Sequence, residues 1–132
     1  FGKCADSILA IGTPILWWIS IIAIIFSLYV LLVRRDHKVL LPLLLLGAGW
    51  LPWFFVGERT IFYFYAVLLS PWLVILTTYL FMKTVHLRIP RILIAISLIA
   101  IVLNFLFIFP ILDAQPISYD EWYSRMWFRS WI

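Results

Sequence analysis

The chain is 132 residues long, 66% hydrophobic and only 12% charged, with a mean hydropathy of +1.11, which is too apolar for a soluble domain. Its formal net charge of +4 would suit nucleic acid if the bases formed one patch, but they lie between apolar stretches and report topology instead. Composition therefore excludes a soluble enzyme and a nucleic-acid-binding protein, and points to an all-α integral membrane fold.

Four apolar stretches, at about 13–33, 39–56, 61–82 and 92–112, contain no Lys, Arg, Asp or Glu. At a helical rise of about 1.5 Å per residue each is long enough for a hydrocarbon core of about 30 Å. Arg34, Arg35 and Lys38 separate the first pair, and Lys83, Arg88 and Arg91 the second. The other side carries Lys3, Arg59, Arg125 and Arg129, diluted by Asp6, Glu58, Asp113, Asp120 and Glu121. The positive-inside rule then puts both basic loops in the cytoplasm and both termini outside. The chain opens Phe1-Gly2-Lys3 with no initiator Met and no signal-peptide pattern, which reads as a piece of a longer protein. Cys4, on the outer side, has no partner cysteine in this sequence, so a disulfide to sequence outside it stays open.

Along the chain, Thr13-Pro14 reads as an N-cap followed by proline at the first helical position. Trp17 and Trp18 follow at the depth where indoles settle at a membrane boundary. The second span ends at Gly49-Trp50-Leu51-Pro52-Trp53, where Pro52 should loosen the last turn. In the third, Ser70-Pro71 predicts a kink near the bilayer middle. Asn104 in the fourth must face another helix, because an unpaired amide in lipid costs several kcal/mol.

The tail 114–132 differs. Ser118-Tyr119-Asp120-Glu121 is a capping box, and Tyr119, Trp122, Tyr123, Met126 and Trp127 share one helical face. Glu121, Arg125 and Arg129 are spaced as an i, i+4 ladder. The expectation is a short amphipathic helix in the outer interface.

The sequence has no catalytic triad or metal-ligand cluster and implies no cofactor; His37 and His86 read as solvated loop residues. The tightest constellation is Arg59 with Tyr63 and Tyr65. An arginine fork and tyrosine hydroxyls suit a phosphate, and an aromatic wall suits an isoprenoid chain. The competing reading is an arginine snorkelling to headgroups beside an ordinary aromatic belt. The pair Asp120-Glu121 is explained by its helix start, so a catalytic role is not assigned to it.

Ile11-Gly12-Thr13-Pro14 with Trp17-Trp18, Gly49-Trp50-Leu51-Pro52-Trp53-Phe54, Arg59 with Phe62-Tyr63-Phe64-Tyr65-Ala66, and Asn104-Phe105 with Pro110 occur in that order. Gln115-Pro116-Ile117-Ser118, Trp122, Trp127 and Ser130-Trp131 complete the series. In these motifs the chain resembles the C-terminal four-helix membrane region of bacterial, particularly actinobacterial, protein O-mannosyltransferases that use polyprenyl-phosphate mannose. Arg129 departs from the pattern, which has proline before the final Ser-Trp. The resemblance implies part of a multi-spanning GT-C-type glycosyltransferase of the bacterial plasma membrane. That enzyme moves mannose from polyprenyl-phosphate mannose to Ser or Thr of exported proteins. The resemblance also implies that the acidic catalytic residues lie in the remainder of the enzyme, N-terminal to residue 1. Arg59, Tyr63 and Tyr65 become candidate contacts to the lipid phosphate. The alternative in a different class is a non-catalytic membrane scaffold or a transporter fragment, though the lack of intramembrane charge speaks against ion coupling.

Overall fold

A computed structural model describes residues 4–5, 12–55, 63–113 and 115–128. Four helical segments in it are long and apolar enough to cross a membrane: Pro14–Arg34, His37–Phe54, Ala66–Thr84 and Arg88–Leu112. The first and last are single α-helices, α1 (Pro14–Arg34) and α4 (Arg88–Leu112). The second is α2 (Leu40–Trp50) between two short 3₁₀ turns, His37–Val39 and Leu51–Phe54. The third opens as the 3₁₀ helix Tyr63–Leu69 and becomes α3 (Ser70–Thr84). Every Lys and Arg in these segments lies at one end of the bundle, and the tryptophans gather at the other. The two ends are called here the basic and the aromatic end.

The helices of the first and third spans form the centre. On α1 the buried residues Ser20, Ala23, Ser27 and Val30 fall at i, i+3, i+7 and i+10, one stripe of mostly small side chains. Small residues let helix backbones approach closely, which is where association in lipid gains its packing energy. Across the stripe lie Leu73, Leu76 and Thr77 of α3, and Ala23, Val39, Leu46, Leu73 and Leu76 make one buried cluster. The hydroxyls of Ser20 and Thr77 meet at 3.2 Å. Each also reaches a carbonyl one turn back in its own helix, Leu16 and Leu73, at 2.8 Å. Two hydroxyl hydrogens thus serve three contacts at Ser20 and Thr77 without charge, whereas the buried Ser27 hydroxyl of the same stripe has no hydrogen-bond partner.

Prolines mark the irregularities, with one change from expectation. Pro52 opens the 3₁₀ turn that ends the second span, as a loosened last turn requires. Pro71, however, sits in the first turn of α3, where its missing amide costs nothing. The break is therefore a change of helix type in the part of the span near the aromatic end, not a kink in the bilayer middle. The Ser70 hydroxyl donates to the Ala66 carbonyl at 3.4 Å across that junction.

Asn104 is 5% exposed and faces another helix as expected. Its side-chain oxygen accepts a hydrogen bond from the Ile15 amide at 3.3 Å. Thr13 holds the N-cap position of α1 in extended conformation, but its side chain makes no cap hydrogen bond; the capping oxygen comes from α4 instead. Because Asn104 is level with the start of α1, residues 105–112 project about 12 Å beyond it at helical rise.

The tail folds back on this projection. Two two-residue strands, β1 (Cys4–Ala5) and β2 (Ile117–Ser118), pair antiparallel with Cys4 opposite Ser118. Helix α5 (Tyr119–Ser124) follows, with the capping box formed in both directions. The periodic pattern predicted a helix through Trp127, yet it stops at Ser124. Arg125 donates instead to the Phe107 carbonyl at 2.8 Å and, through a second nitrogen, to the Glu121 carbonyl at 2.6 Å. Trp127 lies against Phe107 and Trp18, with ring centroids 6.5 and 5.9 Å apart. Tertiary contacts with α4 and α1 outweigh three more residues of helix. The Glu121–Arg125 step of the ladder is also absent as an ion pair, because the Glu121 carboxylate accepts from the Ser118 amide at 3.3 Å. Arg129 lies outside the described residues.

Candidate functional site

Two adjoining grooves open at the aromatic end. The first, about 340 Å³, lies between the start of α1 and the third span, with Gly12, Thr13, Leu16, Ala66, Val67 and Ser70 on its walls. The second, about 440 Å³, runs deeper between the first three spans, along Ile21, Ile24, Ile25, Leu46, Trp50 and Leu69. Trp17 and Leu73 line both, so the indole of Trp17 stands as the shared wall. None of the lining residues is ionisable, which suits an apolar chain rather than a charged ligand along the groove floor.

Local sequence sets this shape. Gly12 has φ of +66°, and a Cβ there would lie 3.1 Å from the Trp17 indole nitrogen. Glycine is needed both for the left-handed backbone and for the close approach of the ring. On α2, a Cβ at Gly49 would come within 2.8 Å of the Leu69 side chain, so Gly49 lets the second and third spans close over the deeper groove. The Trp53 indole donates to the Gly49 carbonyl at 2.9 Å, satisfying one of the last acceptors of α2.

Of the residues proposed from sequence, Tyr63 and Tyr65 lie on the 3₁₀ helix Tyr63–Leu69, whose later residues Ala66, Val67 and Leu69 line the grooves. Arg59 lies outside the described residues. Asp120 and Glu121 occupy the first turn of α5, and among the described residues no group of His, Cys, Asp and Glu is arranged to hold a metal ion.

Sequence reasoning passed over Asp36, the one carboxylate among the bases of the first loop. It accepts a hydrogen bond from the Tyr79 hydroxyl at 2.6 Å and pairs with the Lys83 ammonium at 3.1 Å. It also accepts from the Lys38 amide at 3.2 Å. The Tyr79 hydrogen bond, then Lys83, holds its carboxyl at about 2, well below the ordinary 3.8. Arg35 adopts a left-handed conformation, φ of 53°, at the C-cap of α1, and the Asp36 amide donates to the Val30 carbonyl at 3.3 Å. An acid alone among bases was the available signal. The latch ties the first loop to α3 at the basic end.

The fold and the grooves define a multi-pass helical membrane module with apolar clefts opening at its aromatic end. Comparison with known proteins then places it. The chain is 29% identical to a polyprenol-phosphate-mannose–protein mannosyltransferase of Mycobacterium tuberculosis H37Rv, over 98% of this chain and 26% of that protein. A protein of the same name from Mycolicibacterium smegmatis mc(2)155 is 30% identical over 98% of the chain and 27% of its own length. One from Corynebacterium glutamicum is 35% identical over 57% of the chain and 14% of its own length. No protein-family model and no solved structure matches. The chain is thus homologous to the mycobacterial mannosyltransferases along nearly its whole length, and spans about a quarter of their length. The resemblance carried by the ordered aromatic motifs is the one the comparison finds.

Proposed function

We propose that this chain is the C-terminal membrane part of a protein O-mannosyltransferase that takes mannose from polyprenyl-phosphate mannose and transfers it to Ser or Thr of exported proteins. Its basic end faces the cytoplasm and its aromatic end the outer side of the plasma membrane, following the distribution of Lys and Arg. The observation that carries the reading is the pair of apolar grooves sharing Trp17 and Leu73, entered beside the helix that starts at Tyr63. They suit the isoprenoid chain of the donor, while Arg59, Tyr63 and Tyr65 meet its phosphate.

In the transfer, the acceptor oxygen forms a bond to the anomeric carbon of mannose as the bond from that carbon to the phosphate oxygen breaks. Negative charge then grows on the departing polyprenyl phosphate. A guanidinium at that position stabilises the transition state more than the ground state, because the charge is largest there. By the resemblance to these mannosyltransferases, the group that takes the acceptor proton belongs to the remainder of the enzyme; the Glu121 carboxylate here accepts from the Ser118 amide at the start of α5.

The test is Arg59→Ala in the complete enzyme, with membrane expression checked alongside. Mannosyl transfer should fall about 10²-fold, the scale of losing one charge-stabilising donor. Unchanged turnover at normal expression removes Arg59 from the site.

A further inference from the structure

At the basic end, far from the grooves above, a separate cleft of about 380 Å³ lies among the ends of α1 and α3 and the turn before α4. Its wall on α1 is Phe26, Val30 and Arg34, spaced one turn apart so that an apolar strip ends in a guanidinium. Across from it stand Lys83 and His86, with the Asp36 carboxylate on the same wall. Among the described residues, Arg34 and His86 have no hydrogen-bond or ion-pair partner, whereas Lys83 is held by Asp36. Six Lys and Arg residues surround this end against the single carboxylate Asp36, and that carboxylate is already engaged by Tyr79 and Lys83. The cleft thus offers one unpaired cation, Arg34, beside the imidazole of His86 and the Asp36-held Lys83, above the partly buried ring of Phe26.

We propose that this cleft binds the phosphate headgroup of an anionic phospholipid, with one acyl chain against Phe26. Arg34 gives the planar fork that suits phosphate oxygens, His86 adds a ring N–H donor, and a free proton of Lys83 completes the cradle. Basic clefts between membrane helices select such headgroups because the charge is met at the depth where the acyl chain still packs on protein. A free phosphate ion has the same oxyanion but gains nothing from the apolar strip. The site is independent of the donor reading, since it needs no sugar and lies at the opposite end.

The experiment is native mass spectrometry of the full chain released from nanodiscs containing equal phosphatidylglycerol and phosphatidylcholine with identical acyl chains. Retained lipid should be enriched about fivefold in phosphatidylglycerol, as about 1 kcal/mol from the one unpaired basic side chain, Arg34, implies. The double variant Arg34→Gln, His86→Gln should lose that enrichment, whereas Arg91→Gln, which removes a charge from the same end but outside the cleft, should keep it. Equal retention of the two lipids by the wild-type chain would overturn the proposal, and this arm stands whatever the variants do. So would an equal loss in Arg91→Gln, which would mean diffuse attraction, or displacement of phosphatidylglycerol by millimolar inorganic phosphate, which would mean a simple ion site.

Discussion

The two ends of the bundle solve opposite problems. At the basic end the connections are short, and one carboxylate, Asp36, gathers Tyr79, Lys83 and the Lys38 amide into a latch. At the aromatic end the second and third spans give up α-helical geometry for 3₁₀ turns, and glycines hold open the approach of Trp17 and Leu69. Two polar bonds there satisfy the backbone where a helix starts or stops, Asn104 to Ile15 and Trp53 to Gly49, and a third, Arg125 to Phe107, fastens the tail to α4. The difference teaches where shape has been traded for regularity. One end is fastened by charge, and the other keeps its clefts by breaking helices and repairing the loose ends one at a time.

The largest way to break this contrast is to fill the clefts. Leu73→Trp in the complete enzyme places a large ring where both grooves meet. Transfer from a long-chain donor should fall about tenfold, equivalent to about 1.4 kcal/mol, while a donor with a truncated isoprenoid should lose much less. An equal loss for both donors would make the effect one of folding, since overpacking alone costs about 1–3 kcal/mol.

Next in size is the repair at the start of α1. Asn104→Leu keeps the volume but leaves the Ile15 amide without its acceptor, which costs about 1–3 kcal/mol for a buried group. Thermal unfolding in detergent should show the loss. If Asn104→Leu matches the wild type, the amide is satisfied by other means and the interhelical cap is unimportant. In the tail, Ser118→Ala should cost about 1 kcal/mol of local stability, seen as faster amide exchange over α5 with the membrane spans unaffected.

Asp36 should show the smallest effect at neutral pH, because a pair at the surface with a half-exposed Lys83 contributes little. Its signature is in acid. A carboxyl lowered to about 2 from 3.8 when folded contributes stability that is complete above about pH 4 and fades as pH falls toward 2. The melting temperature of the wild type should drop across that window, and Asp36→Asn should remove this group's share of the drop. A variant with an unchanged acid profile would show that the latch does not couple to folding.

How much of this could be read beforehand depends on whether the governing contact was local. The four spans were legible because length and lack of charge are properties of single segments. The position of Asn104 against another helix was legible for the same reason, since an amide in lipid has to be paired. Its partner was not, because Ile15 is 89 residues away and only the register of α1 against α4 brings them together. Thr13 was correctly placed at the N-cap, yet the oxygen came from that distant amide. The capping box of α5 lies within four residues and forms as read. The end of the same helix does not, since Arg125 and Trp127 are drawn to Phe107 and Trp18. Asp36 was overlooked because its partners Tyr79 and Lys83 are on another helix. Of the candidate site, residue types at Tyr63 and Tyr65 pointed to a phosphate, but the grooves beside them depend on packing among three spans.

The most direct test of the account is photocrosslinking with a polyprenyl phosphate carrying a diazirine along its isoprenoid chain, added to the complete enzyme in lipid nanodiscs. The account predicts adducts on Trp17, Leu69 and Leu73, reduced by competing polyprenyl-phosphate mannose. Adducts confined to the exposed flank of α4, or to the basic end, would contradict it.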